Sequence, residues 1–383
     1  MTAPAMALRS AARAEPGWLW NRRWDLTWIS LSVVLVTVPY LLYLALLEIQ
    51  PILQPLVRSF GGDVESISRN GVNALVALAV GGPHMYATFS RTALDTDFVK
   101  KHPRLVWSSL LIPLVVVALA FFNLPLLLTL FFFWASLHVL HQILYIVELY
   151  NHRAPTKLTR LSHLSDYAVV LTSLYPLAAV RIANGTFAIG TSNLSEVIGS
   201  IFPLGPWMVW VAGGMFAVAL VVWLVKSAIE AARGDLHFPK VVFIGLTVVA
   251  SFFVPILPNL DTAFQGMNLW HSLQYLALTW MLNNLRVQRG ELDRSPFVKR
   301  MSVSGSSRRY YLFNIGLTIA DFLLALVIFV GIRYGLGQTF DFAFDRAYYI
   351  AILSFLWIHY YHDHYLFTQP QVIDSRETAP APA

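Results

Sequence analysis

Residues 124–152 read LPLLLTLFFFWASLHVLHQILYIVELYNH. From Leu124 to Leu137 the run is apolar apart from Thr129 and Ser136. His138, His141, Tyr145, Glu148 and His152 then follow at steps of three and four. Those steps set the five side chains along one stripe of a helix. About 20 helical residues cross a bilayer core, and this stretch reaches Glu148 before it meets an acid. An apolar helix with a histidine-lined stripe belongs in a membrane bundle, its stripe turned inward from lipid.

The rest of the chain agrees. Its 383 residues are 57% hydrophobic and only 13% charged, with a mean hydropathy of +0.59. Soluble domains carry about 25% charged residues, so a soluble enzyme is excluded as the reading. Ten apolar runs are predicted spans of an all-α, polytopic transmembrane bundle: Leu26 to Leu47, Val72 to Ser90, Leu105 to Phe122, Leu124 to Asn151, Asp166 to Ala183, Pro206 to Val225, Val241 to Ile256, Phe264 to Leu285, Leu312 to Ile332 and Ala347 to Phe367. Of 27 Lys and Arg residues, 22 fall in the termini and even-numbered loops and 5 in the odd-numbered loops. That asymmetry predicts both termini in the cytoplasm, in a multi-pass protein of the bacterial cytoplasmic membrane. Trp18, Trp20, Trp24 and Trp28 form an interfacial belt at the first span.

The net charge of +6 is accounted for by those loops, so no nucleic acid partner is expected. Cysteine is absent, which excludes disulfides, thiolate metal sites and a cysteine nucleophile. Residues 1–18 lack an apolar signal segment and read as a disordered tail, as do residues 369–383, leaving 19–368 as the bundle. No internal repeat, heptad pattern or phosphate-binding loop is present, and paired broken helices of the transporter kind are not visible.

Seven of eleven histidines fall inside predicted spans: His84, His138, His141, His271, His359, His362 and His364. Ionisable groups are costly in a membrane and face the bundle interior with a task there. His138 and His141 can bind one ion or face two, with Glu148 one turn further on to ligate or orient. The eighth span holds Asn268, His271, Gln274 and Tyr275. The tenth ends His359-Tyr-Tyr-His362-Asp363-His364, with His359, His362 and Asp363 on one face. In the second span Gly81-Gly82-Pro83 should break the helix before His84, whose stripe continues through Thr88 and Arg91. Asp321, isolated in the ninth span, needs a counter-charge, a metal or a proton, as second shell to an imidazole or as a relay acid. His102, His152, His163 and His237 sit in loops or at their edges and read as solvated. The histidine seams also admit plain interhelical hydrogen bonding.

Two groups of membrane enzymes are resembled. The HxxH at His138 and HxxHDH at His359 loosely resemble the histidine boxes of fatty acid desaturases and hydroxylases, which bind two irons. Gly82-Pro83-His84-Met85, the His138 segment, Trp270-His271-Ser272 and His359 to Asp363 resemble, in order, the histidine segments of the bacteriorhodopsin-related-protein-like family of beta-carotene 15,15'-dioxygenases. The likeness covers about 40 residues in short pieces, and Gln274 and Tyr275 stand where that family's segment has Arg and His. It implies a shared histidine–iron scaffold.

The sequence thus leads to a non-haem iron oxygenase with one or two ions held by His84, His138, His141, Glu148, His271, His359, His362 and Asp363. Tyr145 and Tyr275 are expected as hydrogen-bond donors near oxygen and Asp321 as second shell. A lipid or isoprenoid would be hydroxylated, desaturated or cleaved with molecular oxygen, served by a redox donor protein. Two alternatives use the same histidines: a haem electron-transfer protein, with His138 and His271 or His84 and His359 as axial pairs, and a proton- or metal-coupled transporter.

Overall fold

The structure, a computed structural model, describes residues 17–59, 64–154, 158–189 and 192–373. Among these residues ten long helical runs stand out. We number them α1 (Arg22–Glu48), α2 (residues 64–91), α3 (Pro103–Phe122), α4 (Leu124–Arg153), α5 (Arg160–Ala183), α6 (Pro206–Arg233), α7 (Phe238–Ile256), α8 (Leu260–Gln288), α9 (Ser307–Gly335) and α10 (Phe340–Leu366). A two-residue antiparallel pair, Ala188–Ile189 with Ser192–Asn193, follows α5. The ten sequence-predicted spans each fall on one of these runs.

Seven of the ten, α1, α3–α7 and α9, are long and apolar enough to cross a membrane. The other three are rich in inward polar groups. On α8, for example, His271, Ser272, Gln274, Thr279, Asn283 and Asn284 are all buried. Their polarity faces protein, where it finds partners, so it says little about the lipid-facing surface. α4 touches α3, α5, α7 and α10, while α8 lies against α1 and α2, and α10 against α3 and α9.

Two local departures from ideal helix bring these polar helices together. In α2 the helix of Val64–Val76 passes through a π-turn at Ala77–Gly81 before it resumes at Gly82–Ala87 and tightens at Thr88–Arg91. Pro83 has no N–H to give to the Ala79 carbonyl one turn earlier. The Tyr311 hydroxyl supplies that bond from α9 at 2.5 Å. In α1 a π-segment and a 3-10 segment, Leu31–Thr37, precede the regular helix, and Gly266 of α8 meets this irregular part. A Cβ at Gly266 would lie 1.9 Å from the Val36 carbonyl oxygen, so only glycine allows the two backbones this close.

Ion pairs tie one end of the bundle. Asp166 of α5 is fully buried between Lys226 of α6 and Lys240 of α7, each ammonium 2.8 Å from one carboxylate oxygen. Lys240 also donates to Asn151 of α4 at 3.0 Å, and Lys226 reaches Glu230 at 3.1 Å. Asp25, also fully buried, accepts from the backbone N–H groups of Leu19 and Trp20 and from the Tyr150 hydroxyl.

The expected tails lie mostly outside the described residues. Residues 369–373, read as the start of a disordered tail, instead form a 3-10 turn at Pro370–Ile373 against α4 and α8. Ile373 is fully buried there, and Arg289 donates to the Val372 carbonyl at 2.7 Å. Two apolar side chains were enough to dock a segment that its flanking prolines and alanines made look featureless.

Candidate metal centre

Four helices each bring one histidine to a common point: His84 on α2, His138 on α4, His271 on α8 and His359 on α10. One ring nitrogen of each can be chosen so that all four lie within 4.8 Å of one another. The rings meet edge to face, His84 and His138 each 5.0 Å from His271 and 4.7 Å from His359 between centroids. All four are at most 5% exposed.

Each ring carries a buried nitrogen with no hydrogen-bond partner: Nε2 of His84, His138 and His359, and Nδ1 of His271. A buried unsatisfied polar atom costs about 1–3 kcal/mol, so four in one place call for a shared partner. The group could hold a cation, and each lone pair would then gain a partner at once.

The surroundings fix two tautomers. Nδ1 of His84 lies against the Gly81 carbonyl, which only accepts, so Nδ1 holds the proton and Nε2 presents its lone pair. The Ser272 hydroxyl, 2.9 Å from the same Nδ1, gives its own proton to Asn268 Oδ1. Nδ1 of His359 lies 2.5 Å from Thr88 Oγ1. Thr88 donates to Asp363 Oδ1 at 3.0 Å, so it accepts from His359 Nδ1–H and leaves His359 Nε2 bare. Tyr275 donates to the same Asp363 oxygen at 2.6 Å. Asp363 Oδ2 has no hydrogen-bond partner and lies 3.5 Å from His359 Nδ1 and 3.9 Å from His138 Nε2. The carboxylate thus orients one imidazole through Thr88 and keeps its second oxygen facing the group.

Apolar and aromatic groups seal the site. The His138 ring stacks on Tyr360 at 4.2 Å, with Phe367 at 5.7 Å. The α8 backbone is held from α4 by Gln142, whose side chain donates to the His271 carbonyl at 3.2 Å.

The other sequence-predicted residues are placed elsewhere. His141 is 4.5 Å further along α4 by helical rise and turned about 60° from His138, so it meets His364 and Phe367 instead of the four-nitrogen group. His362 makes the same step from His359 and pairs through Nδ1 with Thr92 at 3.1 Å. Glu148 is ten residues beyond His138, about 15 Å along the axis, and binds Tyr167, Asn151 and His163. Tyr145 is buried behind Phe367, stacked on it at 5.1 Å. Asp321 is buried opposite Tyr86 on the far side of α2 from His84. The single eight-ligand site of the sequence reading therefore divides: His141 and His362 take other partners in this structure, and Glu148 lies too far along α4. Tyr360 and Phe367 carried no sequence signal as site residues; Ser272 did, beside His271 in the segment Trp270-His271-Ser272, and so did Thr88, one turn from His84 on the same stripe.

No protein-family model, curated protein or solved structure matches this chain, so the donor atoms themselves carry the reading of the site.

Proposed function

We propose that the chain is a membrane-embedded non-haem iron oxygenase, its ion held by His84, His138, His271 and His359, acting on a lipid or isoprenoid. The observation that carries this reading is the convergence of four unpartnered, buried imidazole nitrogens from four helices. Four neutral nitrogen donors would saturate zinc, whereas iron takes five or six ligands and keeps positions open beside them. The same four histidines lie in the segments that resemble the beta-carotene dioxygenases, a likeness that implies a shared histidine–iron scaffold. Haem is disfavoured, since the rings contact one another at 4.7 to 5.0 Å and a macrocycle would have to separate them.

Iron in this set supplies one-electron chemistry with molecular oxygen. The protein's own part is to hold and orient. Gly81 and Thr88 fix the His84 and His359 tautomers, Asp363 offsets the ion's charge, and the Tyr275 hydroxyl holds a proton 2.6 Å from Asp363. Tyr360 and Phe367 exclude water, and the apolar exterior of the bundle admits a substrate dissolved in the bilayer. In this reading all ten helices cross the bacterial cytoplasmic membrane with both termini inside, and a redox donor protein meets the cytoplasmic loops.

The test is purification in mild detergent without chelator, with metal content by mass spectrometry, an absorption spectrum and a lipid-extract product screen under oxygen. One iron per chain without a Soret band, lost in His84→Ala and His271→Ala, is expected. A folded wild-type protein that neither contains iron nor binds added ferrous ion would overturn it.

A further inference from the structure

His141 and His364 do not take part in the four-histidine group, yet they sit just outside it as a pair. Their rings are 5.3 Å apart across α4 and α10. His364 is exposed and His141 half-buried, so the pair opens to the surroundings where the inner histidines do not. The Phe367 side chain contacts both groups. The Phe367 ring lies 5.1 Å from His141 on its outer side and 5.7 Å from His138 and 6.3 Å from Tyr275 on its inner side. Phe367 is 5% exposed and closes the last turn of α10, its N–H bonded to the Asp363 carbonyl at 2.8 Å. Beyond it the chain turns away at Thr368.

A cation bound at the inner group must cross this shell, because the four rings are covered on all sides and an aqueous ion does not enter an apolar interior without ligands to replace its water. A pair of imidazoles at the edge provides such ligands. Two nitrogens bind a first-row divalent ion weakly, which suits a transient stop, and four bind it far more strongly, which sets the direction.

Resting on the four-histidine reading above, the geometry points to a metal-loading route: His141 and His364 capture a divalent transition-metal ion and pass it inward past Phe367 to His84, His138, His271 and His359. The ion exchanges water for the outer pair and then the outer pair for the inner set, with no change in its oxidation state. Rotation of the Phe367 ring, at a helix end, opens the way.

The experiment uses the full chain in detergent, stripped of metal and mixed with cobalt(II), whose visible bands report nitrogen coordination. In the wild type one cobalt per chain enters the inner group, and His84→Ala abolishes its bands. In the His141→Gln, His364→Gln double variant the rate of band growth falls tenfold or more, while final stoichiometry and spectrum stay as in the wild type. Phe367→Ala loads faster. Wild-type loading rates in the double variant would overturn the route and leave the inner site standing. Loss of one cobalt with unchanged kinetics for the other would overturn it too, marking the pair as an independent site. A wild type that shows no cobalt bands sensitive to His84→Ala would sink the four-histidine reading itself.

Discussion

Gly266→Ala is the sharpest test of how the centre is assembled. The added Cβ would stand 1.9 Å from the Val36 carbonyl oxygen and 2.8 Å from its carbon, whereas real Cβ atoms essentially never approach below 3.0 Å. α8 must therefore retreat from α1 by about 1.1 Å or more, since the obstacle is backbone and has no rotamer to change. Overpacking of this kind costs about 1–3 kcal/mol, against a helix-propensity gain of about 1 kcal/mol for alanine over glycine. The net effect is a destabilisation of up to about 2 kcal/mol, and the same retreat drags His271, five residues along α8, from its partners. Gly316 supplies the control, as a Cβ there meets nothing within 4 Å. The measurements are unfolding in mixed micelles and iron content of the purified protein. Gly266→Ala should unfold earlier and retain less iron, while Gly316→Ala should match or exceed wild-type stability. If Gly266→Ala equals Gly316→Ala in both, the close α1–α8 approach does not position His271 and the reasoning fails.

Three further outcomes are expected. Asp363→Asn should weaken iron binding by about 10- to 100-fold, as loss of a carboxylate that orients a ligand does, and dialysis against graded chelator would read it. Asp166→Asn leaves the buried Lys226 and Lys240 ammonium groups without their shared counter-charge and should cost about 3 kcal/mol or more, measured by thermal melting; Asn151 and Glu230 keep the loss below that of two isolated charges. His237 sits just before α7, outside the spans, and burial with the nearby Lys240 ammonium pushes its imidazole down to about 4. The unfolded chain then binds more protons than the folded one between about pH 6.5 and 4, so stability falls as pH drops through that window. His237→Phe should flatten this part of the wild-type melting profile, and an unchanged slope would contradict the assignment.

The sequence disclosed helix positions well because apolar runs and bilayer thickness leave few choices: each of the ten predicted spans lies on a long helix. It also put all four converging histidines inside spans, together with His141, His362 and His364, which the structure sets apart from the group. What it did not disclose was how the histidines divide. His138 and His141, or His359 and His362, share a helical face in one dimension, but the side chain that meets a given point depends on the depth of the opposing helix. Glu148 shows the limit most clearly. It continues the stripe of His138 in sequence, yet helical rise carries it about 15 Å away to a separate cluster with Tyr167 and His163. Tyr360 was invisible because tyrosine is ordinary at helix contacts and gains meaning only beside an imidazole.

The helices that hold the site also explain how such a bundle can be polar inside without losing its place in lipid. α2, α8 and α10 supply three of the four inner histidines, and they are the runs that fall short of a simple membrane-spanning composition. The seven more apolar helices supply only His138, from α4. Inward polar groups are concentrated on α2, α8 and α10 without being confined to them: His138 and Gln142 of α4, Asp166 of α5, Lys240 of α7 and Asn314 and Asp321 of α9 are buried as well. Burial makes the four unpartnered nitrogens costly, because no lipid group can donate to them. A bound cation removes that cost, so metal loading and stability should rise together: the melting temperature of the wild type should increase with ferrous ion, while that of His84→Ala should not. Equal shifts in both would mean that iron acts elsewhere, and the inner nitrogens would then have no role that repays their burial.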